Sequence, residues 1–272
     1  MYGKIKIGDH MKKIIMMTMM LISAASYAAA ADLTVDDIVK KSNHVAYYQG
    51  KDGRADARMV ITDAQGRTRE RVITILKLNL TDGGEQKYYV YFHKPNDVKN
   101  MVYIVWKYIT KDDDRWLYLP ALDLVKRIAA SDKRSSFAGT NFAYEDISGR
   151  SPEEDMHELT GEDDKYYELK NTPKNPGNAE FSYYTISVDK NNFIPVSAKY
   201  YDKDGKLYRT IEALEVKDVQ GYPTIMKMKA SDLNSGGNTV CEFNTIKYDI
   251  GLTDDIFTER YLRKPPMQWI EK

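Results

Sequence analysis

The chain has 272 residues, with 40 basic and 40 acidic side chains, four histidines and a single cysteine. A zero formal net charge gives no support for nucleic-acid binding, and one cysteine excludes an internal disulfide. Stability therefore has to come from a hydrophobic core, and the length suffices for one large domain.

Met11-Lys12-Lys13 is a positively charged start, and Ile14 to Ala25 is a short apolar run. Ser26-Tyr27-Ala28-Ala29-Ala30-Ala31 then offers small-residue cleavage sites. This order reads as a secretory signal peptide, with an apolar run too short to span a bilayer as an anchor. Asp9 and His10 are unusual in such a leader, which makes Met11 an alternative start. The expected division is 1–31 signal peptide and 32–272 a single domain. Residues 1–31 carry four lysines and one aspartate, so the 40 basic and 40 acidic residues become 36 and 39 without them, a net charge near −3. No cysteine adjoins the cleavage sites, so a lipid-anchored leader is not expected, and the expected location is the periplasm.

One helix is well signalled. Thr34 can cap Val35-Asp36-Asp37, and Leu33, Ile38, Val39 and Val45 recur at near-helical spacing before Gly50. Almost everything afterwards alternates with a period of two between turn residues. Arg58 to Thr62, Glu70 to Leu78, Tyr88 to Phe92, Val102 to Tyr108, Trp116 to Leu119 and Leu124 to Ile128 read as strands. Further strands are expected at Tyr166 to Leu169, Ser182 to Val188, Val196 to Asp202, Leu207 to Val216, Thr224 to Ala230 and Thr239 to Ile250. Lys170 to Asn178 reads as a surface loop. About ten or eleven strands in meander order, with no βαβ rhythm, predict a mainly β fold: a barrel or deeply curved antiparallel sheet.

Between the two sets of strands lies Ser136-Phe137-Ala138-Gly139-Thr140-Asn141-Phe142-Ala143-Tyr144-Glu145-Asp146-Ile147. It is too apolar for an idle loop and too rich in small residues for a regular core element. Long loops with their own apolar residues tend to be functional, so the segment reads as a plug or lid on a β surface.

Catalysis finds little support. His44, His93 and His157 fall on different elements without ligand spacing, and no nucleophile elbow is present. Cys241 lies in a strand, where a small buried hydrophobe is the better reading. Asp112-Asp113-Asp114 and Glu153-Glu154-Asp155 lack the oxygen spacing of a calcium loop and read as solvated turns. The expectation is a chain with no catalytic residues, no metal site and no cofactor. Lys126, Arg127, Lys133 and Arg134 form a basic cluster that is either a contact for an anionic head group or partner, or a charged hairpin edge. Tyr88, Tyr89 and Tyr91 either line a ligand cavity or are ordinary strand residues.

The stretches Trp116-Leu117-Tyr118-Leu119-Pro120-Ala121-Leu122, Val125-Lys126-Arg127-Ile128 and Ser136 to Ile147 resemble the hallmark of the LolA-like outer-membrane lipoprotein-sorting family. Tyr200-Tyr201-Asp202 with Asp204-Gly205-Lys206-Leu207, and Tyr248-Asp249 with Phe257-Thr258 and Leu262, support the resemblance. Asn100-Met101 departs from a small Gly-Thr-like pair, and Ala138 with Thr140-Asn141 departs from the usual Met-Gly-Ser-Asp flavour. The resemblance implies a half-open antiparallel barrel that holds helices in its concave side around an apolar, acyl-accommodating interior. It also implies a periplasmic address.

The expected function is therefore a periplasmic carrier for the acyl portion of a lipid or lipoprotein, working with an inner-membrane transporter or an outer-membrane acceptor. A periplasmic adaptor for an envelope transporter and an unrecognised hydrolase are the alternatives. Trp116, Tyr118, Phe137, Phe142 and Tyr144 are the cavity and lid candidates. In a strand Trp116 and Tyr118 share one face and Leu117 and Leu119 the other, so only one pair can look inward.

Overall fold

The computed structural model describes Tyr2 and residues 33–271. The described residues from Val35 onward form one compact unit. The signal-peptide reading of 1–31 falls outside the described residues. Among those residues no helix is long and apolar enough to cross a membrane.

Helix α1 spans Val35–Asn43, with Asp36 and Asp37 in its first turn and Lys40 and Lys41 in its last. Each sign matches the helix dipole at its end. Ile38 and Val39 are buried, and the helix widens into a π-turn at His44–Tyr48 before Gly50 turns the chain with φ +67°.

Six strands follow: β1 Asp52–Thr62, β2 Thr68–Asn79, β3 Gln86–Lys94, β4 Val102–Lys107, β5 Asp114–Leu119 and β6 Leu124–Arg127. After residues 128–154, which include helix α2 at Tyr144–Ser148, come seven more. These are β7 Asp155–Glu162, β8 Tyr166–Pro173, β9 Tyr183–Asp189, β10 Pro195–Tyr201, β11 Leu207–Val219, β12 Tyr222–Asp232 and β13 Gly237–Tyr248. All thirteen form one sheet in the order β6-β5-β4-β3-β2-β1-β13-β12-β11-β10-β9-β8-β7. The two meanders join where β1 pairs antiparallel with β13, so β6 and β7 are left as the two edges. The barrel is thus half open, as the sequence predicts. Residues 128–154 connect one edge to the other, and they cross the concave side, where Phe137, Phe142 and Tyr144 pack on inward-facing strand residues.

Two sequence expectations are corrected. Strand β7 has no counterpart in the sequence reading, because an edge strand carrying Glu158 and Glu162 lacks a strong apolar alternation. The Lys170–Asn178 stretch is not all loop, since β8 continues to Pro173. Its inward residues Leu169, Asn171 and Pro173 are buried, but Asn171 and Pro173 do not look like core positions in a sequence.

Strand alternation sorts the first meander into two buried faces. Met59, Ile73, Tyr88, Val90, Phe92, Tyr103 and Leu117 point inward and pack with Phe137, Phe142 and Tyr144 of the crossing segment. Leu76, Tyr89, Tyr91, Val102, Ile104 and Trp116 point outward. The C-terminal segment covers that outer face with Leu252, Ile256, Phe257, Leu262 and Ile270, the last two lying on helices α3 (Arg260–Arg263) and α4 (Met267–Ile270). Buried polar tips pin it: Tyr89 Oη donates to the Tyr261 carbonyl at 2.8 Å and Trp106 Nε1 to the Phe257 carbonyl at 2.7 Å. Arg54 Nη2 donates to the Ile270 carbonyl at 2.9 Å.

Phe257 is fully buried in this second core, whereas Leu122 at the β5–β6 turn is 70 % exposed. Phe257→Ala should cost about 3–5 kcal/mol in urea unfolding, and Leu122→Ala no more than about 0.5 kcal/mol. Equal costs would contradict the tail's role as the cover of the outer face.

Candidate functional site

The crossing segment is folded tightly. Phe137 N–H donates to the Phe142 carbonyl at 2.8 Å and Thr140 N–H to the Phe137 carbonyl at 3.0 Å. Between them Ala138 and Gly139 both have positive φ, +50° and +77°, the signature of a type I′ turn. The small residues make that turn, and the flanking aromatics fill the core. Phe137 packs its ring 5.5 Å from those of Phe92 and Tyr103 and 5.6 Å from that of Tyr144. Asn141 ties the turn to β13, its N–H donating to Thr239 Oγ1 at 2.9 Å while Thr239 Oγ1 donates to its side chain at 2.8 Å.

Helix α2 follows, with the Ala143 N–H donating to Asp146 Oδ2 at 2.6 Å. It ends at Gly149, where φ is +77° and an added Cβ would lie 2.6 Å from the Tyr47 ring. Only glycine fits that approach. Two sheet lysines cap the helical pieces from below. Lys107 Nζ donates to the Ser148 and Gly149 carbonyls at 2.7 and 2.8 Å. Lys77 Nζ donates to the Tyr47 and Gln49 carbonyls at 3.1 and 2.7 Å. Burial pushes both ammonium groups down to about 8, against the pull of nearby carboxylates.

A buried ion network joins α2 to the second meander. Glu145, only 2 % exposed, sits 2.9 Å from Lys133, 3.2 Å from Arg134 and 3.5 Å from Arg150. Arg150 also makes a two-pronged pair with Asp155, both contacts at 2.9 Å, and reaches Glu154 at 2.8 Å. Arg134 reaches Asp146 at 3.6 Å and Glu180 at 3.3 Å, and Arg209 pairs with Asp146. The guanidinium of Arg134 lies 5.2 Å from the Phe181 ring centre and 4.9 Å from that of Tyr200, a stacking that suits a desolvated arginine.

Between α1, the crossing segment and the sheet lies a cavity of about 380 Å³. Val39, Val45 and Tyr47 line it from the α1 side, Met59, Ile73 and Ile75 from the first meander, and Ile186, Ala198, Ile211, Met228 and Phe243 from the second. Side chains of β2 and β8 share it, so this is the concave face. Its volume lies in the range of small-molecule sites. At one end the lining turns polar, with Arg134, Glu145, Asp146, Asn171, Tyr184 and Tyr200.

The structure separates the residues singled out from the sequence. Of the five cavity candidates only Phe142 lines the cavity; Phe137 and Tyr144 are core beneath the crossing segment. Trp116 and Tyr118 are a correction: they face the outer side, with Trp116 buried in the C-terminal core and Tyr118 packed against it. Leu117 and Leu119 are the inward pair, because inward Arg115 sets the phase of the strand. The basic cluster divides into an inner and an outer pair. Lys133 and Arg134 are consumed by the internal network, while Lys126 and Arg127 lie exposed on edge strand β6. Asp113 and Asp155, read as solvated, are a half-buried partner of Arg115 and a buried partner of Arg150. Sequence reasoning missed the α1 wall and the inward residues of β9–β13, whose only signal was their strand phase.

Cys241 lines the cavity as a buried thiol that burial pushes up to about 12, so it stays protonated near neutral pH. His44, His93 and His157 lie apart: His44 beside Asp82, His93 beside Thr74, and His157 between the Asn171 side chain and the Pro152 carbonyl. Among the described residues no group of three or more His, Cys, Asp or Glu side chains is placed to hold a metal ion.

The network has a pH signature. Burial raises the Glu145 carboxyl, but Arg134, Lys133 and Arg150 outweigh it and hold the group at about 2 against an ordinary 4.5. A depressed carboxylate contributes stability that is complete above its unfolded value and is lost as pH falls to its folded value. The urea midpoint should therefore fall between about pH 4.5 and 2, with a Glu145 share of roughly 3 kcal/mol, and Glu145→Gln should flatten that fall. An identical slope in wild type and variant would contradict the pairing.

A family model with the description "-like: Uncharacterized protein" matches residues 84–264, about two-thirds of the chain. Comparison with curated proteins gives no match. Among solved structures, a DUF1329 family protein from Desulfovibrio piger is 29 % identical and superimposes with a TM-score of 0.77, over 83 % of this chain and 96 % of that one. A Vibrio parahaemolyticus domain described as an outer membrane lipoprotein-sorting protein is 24 % identical, with a TM-score of 0.77 over 84 % of this chain and 97 % of that one. A LolA superfamily protein from Nitrosomonas europaea is 19 % identical, with a TM-score of 0.65 over 84 % and 99 %. The chain belongs to the family of that model, and its half-open barrel is that of the LolA-like outer-membrane lipoprotein-sorting proteins.

Proposed function

We propose that this protein is a non-catalytic periplasmic carrier that holds the acyl portion of a lipid or lipoprotein in the concave cavity during transfer between envelope components. The observation that carries the reading is an apolar space of about 380 Å³ left open in the middle of an otherwise tightly packed sheet. An interior usually closes such a volume, since each buried void loses contacts. An acyl chain would fill it and gain roughly 0.8 kcal/mol per methylene buried, with no specific chemistry required. The LolA-like fold supports the same reading, and so does the leader-like order of residues 1–31. In this proposal residues 32–272 are the mature carrier, which takes cargo from an inner-membrane transporter or passes it to an outer-membrane acceptor.

Two measurements test this. Protein purified without detergent should release acyl lipid in native mass spectrometry. Ala198→Trp and Met228→Trp, which fill the cavity, should abolish that release while keeping the far-ultraviolet dichroism of the wild type. Consistently lipid-free wild-type protein that also fails to bind an added dodecyl chain would contradict the carrier and favour an adaptor. N-terminal sequencing of the secreted protein should begin near residue 32; an intact Met1 would remove the periplasmic part of the proposal.

A further inference from the structure

The sheet is continuous in strand order but not in pairing. Strands β12 and β13 form rungs from Lys227 opposite Glu242 down to Asp232 opposite Gly237. Above that level β12 extends back to Tyr222 and β13 runs on to Tyr248, and these parts make no rung with each other. The registers leave an extra residue on each strand near the same level: Leu214 on β11, Met226 on β12 and Asn244 on β13. Such bulges bend a strand and end its pairing. Pro223 has no N–H to give, which suits a strand with an open edge. On the other flank β10 pairs with β11 no further than Ser197 opposite Glu212. Residues 213–226 are therefore a two-stranded ribbon, and a split separates it from β13.

The cavity reaches this split. Pro223, Thr224 and Ile225 line it from one bank, and Phe243, Ile246 and Tyr248 from the other. Side chains close the gap instead of rungs. At the upper end Gln220 Nε2 donates to the Tyr248 carbonyl at 3.2 Å, and the Tyr248 N–H donates to Gln220 Oε1 at 2.8 Å. The rings of Tyr222 and Tyr248 lie 4.8 Å apart, and Thr224 Oγ1 is 2.9 Å from Tyr248 Oη. At the lower end Lys227 pairs with Glu242 at 2.7 Å. On the concave side the π-turn backs the gap, through Gln49 Nε2 donating to the Pro223 carbonyl at 2.9 Å.

Exposed side chains change rotamer far faster than a ladder of backbone rungs unzips. The split is thus a weak line in an otherwise continuous wall, and it opens inward when the π-turn withdraws. Its surroundings suit an apolar ligand. Leu214 is 50 % exposed and Val216 38 %, and Val216 stands opposite Ile225, which lines the cavity. Apolar surface therefore continues from solvent to the interior.

We propose that the split between β12 and β13 is the portal by which an acyl chain enters and leaves the cavity. Leu214 and Val216 are its outer lip, and Gln220 and Tyr222 its latch. The head group or polypeptide linked to the chain stays outside the sheet. The inference rests on the carrier reading and adds the route to it.

The test uses the full chain with Cys241→Ala, so that no other thiol reacts. Ile225→Cys and Lys247→Cys are joined across the split by ethylene bis-methanethiosulfonate, and stopped-flow fluorescence follows cis-parinaric acid. Uptake and release should both slow by about tenfold or more at unchanged Kd, because a blocked portal raises the barrier and leaves the bound state alone. Dithiothreitol should restore both rates. The same bridge between Lys227→Cys and Glu242→Cys, on the last paired rung, should leave them unchanged. Unaltered rates with the split bridged, or equal slowing by the two bridges, overturns the portal while leaving the carrier standing. If wild type takes up none of the probe, the carrier reading and the portal fall together. Should the cysteine variants not fold, Gln220→Gly decides. Its φ of +58° suits glycine, and loss of the latch should speed uptake and release together by about threefold. Rates equal to those of wild type would overturn the portal.

Discussion

The position of Glu145 is the constraint on which the rest depends. It sits on a five-residue helix in the connection that passes from one sheet edge to the other, and three cations from 133, 134 and 150 converge on it. Phe137 and Tyr144 hold that connection to the first meander by apolar packing. Charge pairs to Asp155, Glu180 and Arg209 hold it to the second. The difference in chemistry leaves the cavity. Apolar side chains on both sides could have collapsed onto one another, whereas a set of paired charges fixes a separation.

Buried ion pairs are a poor source of net stability, because desolvation offsets much of the attraction. Their contribution here is geometric. Each guanidinium accepts a limited set of carboxylate positions, and aromatic rings at 181 and 200 fix the plane of Arg134. The crossing segment is consequently a fixed plug at its aromatic turn, tied to β13 through Asn141, rather than a free lid. Opening the cavity without breaking these ties requires movement on the α1 side. There the buried face of one short helix is backed by neutral and lysine donors on backbone carbonyls, Lys77 on Tyr47 and Gln49, Gln86 on Tyr47, and Asn79 on Tyr48 and Gly50.

Much of this was legible in the sequence, and the limits have physical causes. Period-two patterning and hairpin punctuation located the half-open barrel but counted about ten or eleven strands where there are thirteen, because most strands bury at least one face while the edge strand β7 does not show it. The odd mixture from Ser136 to Ile147 marked the crossing segment, since two positive-φ residues and two aromatics are needed to build a turn that is also a plug. Which face of Trp116–Leu119 looks inward depends on a phase set by Arg115 and by the C-terminal cover, and neither is local. That cover has no periodic signal, because its apolar residues are spread over two four-residue helices and a turn. Lys133 and Arg134 looked like surface charge because their partners lie on α2, at Glu154 and at Glu180, far enough away in sequence that no spacing rule applies.

The central claim is that an acyl chain occupies the space between α1 and the concave strands, and locating a heavy atom there tests it most directly. Crystals grown with methyl 12-bromododecanoate should show an anomalous bromine peak in the cavity, among the side chains of Ile186, Ala198 and Met228. A peak on the outer face, or an empty cavity in crystals of protein that binds the ester in solution, would contradict the account.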